Sequence, residues 1–314
     1  MSTRWRFVVC WCCCSQRLRR WGDGADMTKS LWFYLKNIFI NPVAAAEGIA
    51  TEKKQMASTH QPGSFPDGLR EASWLSIGIV LVFDLLSTLL LFANVHPLVV
   101  VFLPWVLVIG VGIFLLGKLR FSDLGIFPAR IIPAILCGLI IWCIIQLLAA
   151  AALFFLQGKT SWGSVMPGYL VDQLLFFAIA EESIYRGYLF PQLYLKLKRA
   201  RHFSAGAYWI ALFLSQAIFS LYHLPHRLAN NTPIEDLPFQ LVLLWISGLL
   251  LCYVYLRSQN LLVAVVVHAL GNAPSIIFSH TTLPWYVITL IVWTAAIAVI
   301  EIGRRLSFFT RKAD

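Results

Sequence analysis

Eight apolar stretches, each close to the length of a membrane helix, follow one another along most of this chain and restrict the folds open to it. They span residues 74–94, 97–117, 131–156, 168–194, 204–224, 237–257, 260–279 and 283–303. A helix of about 20 apolar residues crosses a bilayer with its backbone hydrogen bonds satisfied internally. Only 13% of the residues are charged, against about 25% in soluble domains. The sequence therefore predicts an all-α, polytopic membrane protein with an eight-helix transmembrane bundle.

An extramembrane region precedes this membrane domain, which covers residues 74–303. Within residues 1–73, the run CWCCC at 10–14 fits a little-structured tail; acylation or metal binding there stays open, and Met27 is an alternative start. Polar residues interrupt the apolar segment 31–46, which favours an interfacial or cytoplasmic helix. Residues 51–72 are polar and rich in Gly and Pro, as expected of a linker.

Basic residues are concentrated on alternate connections between the stretches. Most Lys and Arg lie in the N-terminal tail, after the second, fourth and sixth stretches, and in the C-terminal tail, residues 304–314. The opposite connections hold Lys159 and Arg227 together with the acidic pair Glu235 and Asp236. The positive-inside rule then predicts an inner or plasma membrane protein with both termini cytoplasmic. The formal net charge of +10 thus indicates membrane orientation, and no nucleic-acid partner is expected.

Charged residues interrupt the fourth stretch, which contains Glu181, Glu182 and Arg186. Ionisable side chains in a membrane span are costly unless they are paired or face a wet cavity, so they mark a functional site by default. Residues four apart on a helix share a face, which predicts an ion pair between Glu182 and Arg186. Glu181 points about 100° away; except for Tyr185, nothing on its own helix reaches it, so it is chemically available.

Further polar residues lie in two other stretches. The fifth ends in His223, and the seventh contains His268 and Asn272 four residues apart. The adjacent Gly187 and Gly271 are expected to permit close helix approach. A carboxylate removed from water is a general base, histidine orients water or ligates a metal, and Asn and His donate to an oxyanion. These groups fit peptide-bond hydrolysis.

Ordinary interpretations of the same residues stay open. His223 near a helix end is equally an interfacial histidine, and His268 is equally a satisfied structural one. Asp84, Asp172 and Gln146 are interpreted as packing or cavity-lining residues. A straight fifth helix would also place His223 about 15 Å from Glu181, so a shared site requires that helix to bend, tilt or start deeper in the membrane.

The three motifs occur in the order known from one family. Glu181-Glu182-Ser183-Ile184-Tyr185-Arg186, Phe219 to His223, and His268 to Asn272 resemble the EExxxR, FxxxH and HxxxN motifs of the CPBP family of intramembrane proteases. That family contains the type II CAAX prenyl endopeptidases and the bacterial Abi-type proteins. The resemblance covers about residues 165–280.

The resemblance implies an eight-helix endopeptidase that acts on a protein or peptide substrate in the lipid bilayer. It implies catalytic roles for four residues: Glu181, which activates water, His223, which positions the water, and His268 and Asn272, which stabilise the oxyanion. Glu182 and Arg186 would support the site. If a divalent metal such as zinc is bound, His223, His268 and Glu181 are its expected ligands.

Two functions of other classes remain compatible with the sequence. A non-catalytic immunity-type or scaffold protein would keep the fold without hydrolysis. A proton-coupled transporter would use the same Glu, His and Arg residues as a proton relay. The identity of the substrate, and whether it is prenylated, cannot be read from the residues.

Overall fold

The computed structural model describes residues 69–90, 102–157, 167–200, 206–274 and 285–305. All of them lie in the larger of two compact units, Pro62–Asp314. The predicted N-terminal tail, interfacial helix and most of the linker fall within residues 1–68, and residues 306–314 belong to the predicted C-terminal tail. These segments lie outside the described residues, so the division into domains stays a prediction.

The described residues are almost entirely helical and contain no β-strand. Their helices are α1 (Trp74–Leu89), α2 (Pro104–Leu116), α3 (Ile131–Gln157), α4 (167–199), α5 (Ala207–Tyr222), α6 (Leu224–Ala229), α7 (Leu237–Ser258), α8 (Leu261–Asn272) and α9 (Trp285–Arg305). Two short 3₁₀ turns, Phe121–Leu124 and Pro128–Arg130, connect α2 to α3. The all-α class is confirmed, each apolar stretch contains one of the helices α1–α5 and α7–α9, and the short α6 is additional.

Length and apolar composition single out three candidate membrane spans in the described part of the chain. These are Phe121–Phe155, Ala207–Ala229 and Leu237–Ser258. Four shorter apolar helices accompany them: Trp74–Leu89, Pro104–Leu116, Leu261–Asn272 and Val287–Gly303. The structure is therefore that of a helical protein with several membrane-compatible helices.

Helix α4 is continuous but not uniform. Its α-helical turns are interrupted by two π-helical segments, Gln173–Ala178 and Ser183–Leu189. The turn between them, Ile179–Glu182, carries both glutamates. A π-helical turn holds more residues than an α-helical one and frequently occurs at functional sites. The glutamate pair thus lies between two local changes of helical register.

Helix contacts in the bundle depend on small residues at a few positions. A Cβ atom built on Gly112 of α2 would lie 2.6 Å from Val80 Cγ2 of α1. A Cβ on Gly187 would lie 3.1 Å from the carbonyl oxygen of Leu124, as the predicted close approach at this glycine requires. The same expectation for Gly271 is wrong, because a Cβ there would have no neighbouring described residue within 4 Å, and Gly271 borders a cavity.

Candidate active site

A fully buried ion pair anchors the site to α4. Arg186 Nη1 donates to Glu182 Oε1 at 3.0 Å, and both side chains are 0% exposed. The guanidinium also lies over the Phe219 ring, 4.1 Å from its centroid. The pair has the i,i+4 spacing predicted for it. His268 Nδ1 of α8 adds a second contact to the same carboxylate oxygen at 2.7 Å, so Glu182 also joins α4 to α8.

Glu181 lies on another face of α4 and has a different environment. Its Oε2 atom is buried and has no hydrogen-bond partner among the described residues. This oxygen is 3.8 Å from His223 Nε2 and 3.7 Å from His268 Nε2. Both separations are too long for direct hydrogen bonds. Three groups, from α4, the end of α5 and α8, therefore converge, with both imidazole Nε2 atoms within 3.8 Å of one carboxylate oxygen.

The position of His223 follows from the end of α5. That helix ends at Tyr222, and the next helix, α6, begins at Leu224 with Pro225 in its first turn. The His223 ring nitrogen Nδ1 lies 2.9 Å from the Phe219 carbonyl oxygen, which leaves Nε2 toward Glu181. The separation of about 15 Å expected for a straight fifth helix is not found, because His223 Nε2 lies 3.8 Å from Glu181 Oε2.

Asn272 reaches the site region through a residue that the sequence did not single out. Its Nδ2 atom donates to Gln173 Oε1 at 2.9 Å. Gln173 is buried in the first π-helical segment of α4. It lies eight residues before Glu181, a spacing of about two turns that places both near one face of a helix. That spacing was the available signal, but an isolated Gln in an apolar stretch carries little functional information.

A second carboxylate lies beside the site. Tyr185 OH donates to Asp84 Oδ2 of α1 at 2.5 Å, rather than to Glu181 as its position on α4 suggested. Asp84 is buried and lines the cavity, as interpreted from the sequence. Gln146 is buried in α3. Asp172 departs from the interpretation, because it is exposed and does not line the cavity.

The converging groups face a large cavity of about 1340 Å³. Ligand pockets usually measure about 300–1,000 Å³, so this one has room for an extended peptide segment. Its wall combines polar groups with apolar side chains of α4, α7 and α8. The site residues that line it are Glu181, His223, His268 and Asn272.

The expected metal ligands have the right chemistry but do not form a recognised metal site. One carboxylate oxygen and two imidazole nitrogens are donors that zinc accepts. Among the described residues, however, no group of three or more His, Cys, Asp or Glu side chains has the arrangement needed to hold a metal ion. No step of the chemistry below therefore passes through a metal.

The chain was compared with models of known protein families, and one family matches the segment that contains the site. Residues 164–274 match the family described as Type II CAAX prenyl endopeptidase Rce1-like. This segment belongs to the CPBP/CAAX protease family. Comparisons with curated proteins and with solved structures give no match. The CAAX-protease segment contains all six site residues predicted from the sequence, whereas Asp84 lies outside it.

Proposed function

We propose that this chain is an intramembrane endopeptidase that hydrolyses a peptide bond near the C-terminus or in the membrane-embedded part of a protein or peptide. One observation carries the proposal. Glu181 Oε2, buried and without a hydrogen-bond partner in the described part of the chain, lies within 3.8 Å of the Nε2 atoms of both His223 and His268. The match to the CAAX-protease family over the same residues agrees with it.

The proposed reaction begins with a water molecule held between these three atoms. Glu181 removes a proton while the water oxygen bonds to the peptide carbonyl carbon. His223 assists by holding the water. Its Nδ1–H donates to the Phe219 carbonyl oxygen, so in the neutral ring Nε2 is an acceptor for a water hydrogen.

The tetrahedral intermediate requires donors for its oxyanion. His268 Nδ1 contacts the Glu182 carboxylate, which stabilises the protonated ring with Nε2–H as a donor. Asn272 supplies its amide as a second donor in this proposal. Glu181 then returns its proton to the amide nitrogen, the C–N bond breaks, and a carboxylic acid and an amine leave the site.

We also propose the membrane arrangement. The eight long helices α1–α5 and α7–α9 cross an inner or plasma membrane, with both termini in the cytoplasm. The alternation of connections rich and poor in Lys and Arg supports this topology.

The test compares the membrane-associated peptides of cells that produce the wild-type chain or single variants. Glu181→Ala and His268→Ala are expected to lower cleavage about 10²–10⁴-fold, the usual contribution of a general acid or base. Asp172→Ala is the matched control, because it removes an exposed carboxylate from the same helix. Membrane insertion and thermal stability of every variant are measured in parallel.

Three measurements could contradict parts of the proposal. Unchanged cleavage by stable Glu181→Ala and His268→Ala variants would remove these residues from catalysis. Full biological activity of Glu181→Gln would indicate a non-catalytic role. Metal analysis of the purified chain, with and without chelator, decides whether the three-ligand metal hypothesis is retained.

A further inference from the structure

Helix α1 contains one charged residue, Asp84, in an otherwise apolar sequence. It lies outside the segment 164–274 that matches the CAAX-protease family. Its side chain is buried and borders the same cavity as Glu181. A carboxylate in a membrane helix is costly unless it is paired or faces a wet cavity. The reaction proposed above gives this carboxylate no role.

The Tyr185 hydroxyl of α4 is the partner of the Asp84 carboxylate. It donates to Asp84 Oδ2 at 2.5 Å, a length typical of a hydroxyl bound to a charged acceptor. The Tyr185 ring is packed edge-on against the rings of Phe219 and Tyr222, with centroid separations of 5.1 and 6.1 Å. Tyr185 is therefore held with its hydroxyl directed at α1.

Tyr185 has another candidate acceptor on its own helix. It follows Glu181 by four residues, and a long side chain in a helix leans toward the residue four positions earlier. Tyr185 and Asp84 are both near enough to Glu181 to interact with it electrostatically. A tyrosine hydroxyl has one hydrogen to donate, so it binds either Asp84 or Glu181. In the structure Asp84 accepts it, and Glu181 Oε2 has no hydrogen-bond partner among the described residues.

A hydrogen bond from Tyr185 would impair Glu181 as a base. A donor to a carboxylate stabilises its charged form and so reduces its tendency to take up a proton. At Oε2, the same bond would occupy the oxygen that lies within 3.8 Å of the Nε2 atoms of His223 and His268. The bond would have to break before this oxygen accepted a proton from water.

We propose that Asp84 is a positioning residue of the site, which keeps Glu181 available by holding the Tyr185 hydroxyl away from it. The inference rests on the proposed protease function, because its effect on cleavage passes through Glu181 as the base. Asp84 acts through Tyr185, and no contact with substrate is assigned to it. Helix α1, which precedes the family segment, thereby contributes to the reaction.

A purely structural role for Asp84 makes different predictions. Helix α1 has a second contact of the same kind, because Tyr222 OH donates to the Leu81 carbonyl oxygen at 2.5 Å. If Asp84 served only to attach α1, loss of the Tyr185 hydroxyl would remove the same attachment. The two single variants would then be impaired alike, and combining them would restore nothing.

A double-variant cycle tests the proposal in cells that produce the full chain. The measured quantity is the abundance of the cleavage products that depend on Glu181, normalised to the amount of folded protein. Asp84→Ala is expected to lower it about 10–100-fold, the effect of one hydrogen bond to a charged group. Tyr185→Phe and the double variant are expected to cleave alike and close to wild type, because neither has the competing hydroxyl.

Ser87→Ala is the matched control. Ser87 is also a buried residue of α1 that borders the cavity, but its hydroxyl donates to the Phe83 carbonyl oxygen within the same helix. Its cleavage is expected to equal that of wild type. A loss as large as that of Asp84→Ala would overturn the inference, because any polar change on α1 would then suffice.

Restoration of cleavage by Tyr185→Phe is the decisive result. Wild-type cleavage by Asp84→Ala overturns the inference, and so does a loss that Tyr185→Phe does not restore. If Asp84→Ala does not fold, Asp84→Asn replaces it, as a weaker acceptor of nearly the same shape. A partial loss that Tyr185→Phe restores is then expected, and any other result overturns the inference.

Glu181→Ala in the same cells separates this inference from the proposed function. If no cleavage product depends on Glu181, the protease proposal fails, and the role of Asp84 fails with it. If cleavage depends on Glu181 but not on Asp84, only the inference about Asp84 fails.

Discussion

The two adjacent glutamates, Glu181 and Glu182, have different environments and different proposed roles. Glu182 has a fully buried carboxylate bound by Arg186 and His268, whereas Glu181 lines the cavity and its buried Oε2 has no hydrogen-bond partner among the described residues. The difference between the two follows from the 100° step of the helix. One glutamate is thus a positioning residue, and its neighbour is the candidate catalytic group.

Loss of the Glu182 charge is expected to destabilise the protein. Glu182→Gln leaves Arg186 buried without a countercharge, which costs about 3–5 kcal/mol. Glu301→Gln is the matched control: its pair with Arg257 is about a quarter exposed, and such pairs contribute about 0–1 kcal/mol. Thermal unfolding in detergent measures both, and equal midpoints for the two variants would contradict a structural role for the Glu182 pair.

Sequence predicted those features of the site that depend on spacing within one helix. The Glu182–Arg186 pair is of this kind. The contacts of Glu182 with His268, of Asn272 with Gln173 and of Tyr185 with Asp84 were not predicted. Each joins two helices. Such contacts depend on how one helix is rotated relative to another, and the positions of apolar residues in the sequence do not predict that rotation.

At the scale of helices, two helices approach closely where one of them has a glycine in the contact. Gly112 of α2 faces Val80 of α1, whereas a Cβ on Gly78 of α1 would meet no described neighbour within 4 Å. Apolar composition predicted where helices occur. It did not predict the π-helical segments of α4, because no residue type marks an extra residue in a helical turn.

Two glycine substitutions distinguish contact glycines from surface ones. Gly112→Ala is expected to cost about 1–3 kcal/mol through overpacking, since its Cβ would lie 2.6 Å from Val80 Cγ2. Gly78→Ala is expected to be neutral or stabilising by up to about 1 kcal/mol, because alanine is the better helix former. Thermal unfolding is again the measurement, and a stable Gly112→Ala variant would show that α1 and α2 separate easily.

For the whole molecule, the alternation of connections rich and poor in Lys and Arg is the feature most visible in sequence. It predicted that the connections before α1 and after α2 lie on one side, and Arg70 Nη1 donates to the Lys118 carbonyl oxygen at 3.2 Å. Sequence alone did not predict the cavity beside Glu181, because its wall is formed by residues from several helices that packing brings together.

Fusion proteins test the proposed position of the C-terminus. Green fluorescent protein after residue 314 is expected to fluoresce, and alkaline phosphatase at the same position to be inactive, because the proposed topology places that terminus in the cytoplasm. The matched control truncates the chain after Thr232, where both signals should invert. An active phosphatase at residue 314 would contradict the eight-span arrangement.

The buried ion pair described above also bears on how the chain is made. Each charged side chain at the centre of a helix adds about 2.5–3.5 kcal/mol to its insertion into the bilayer, and three lie near the middle of α4: Glu181, Glu182 and Arg186. Two of the groups that surround them, Phe219 and His268, belong to α5 and α8, which leave the ribosome later. The stable insertion of α4 is therefore expected to depend on α5 and α8, which supply these contacts only after α4 itself has been synthesised.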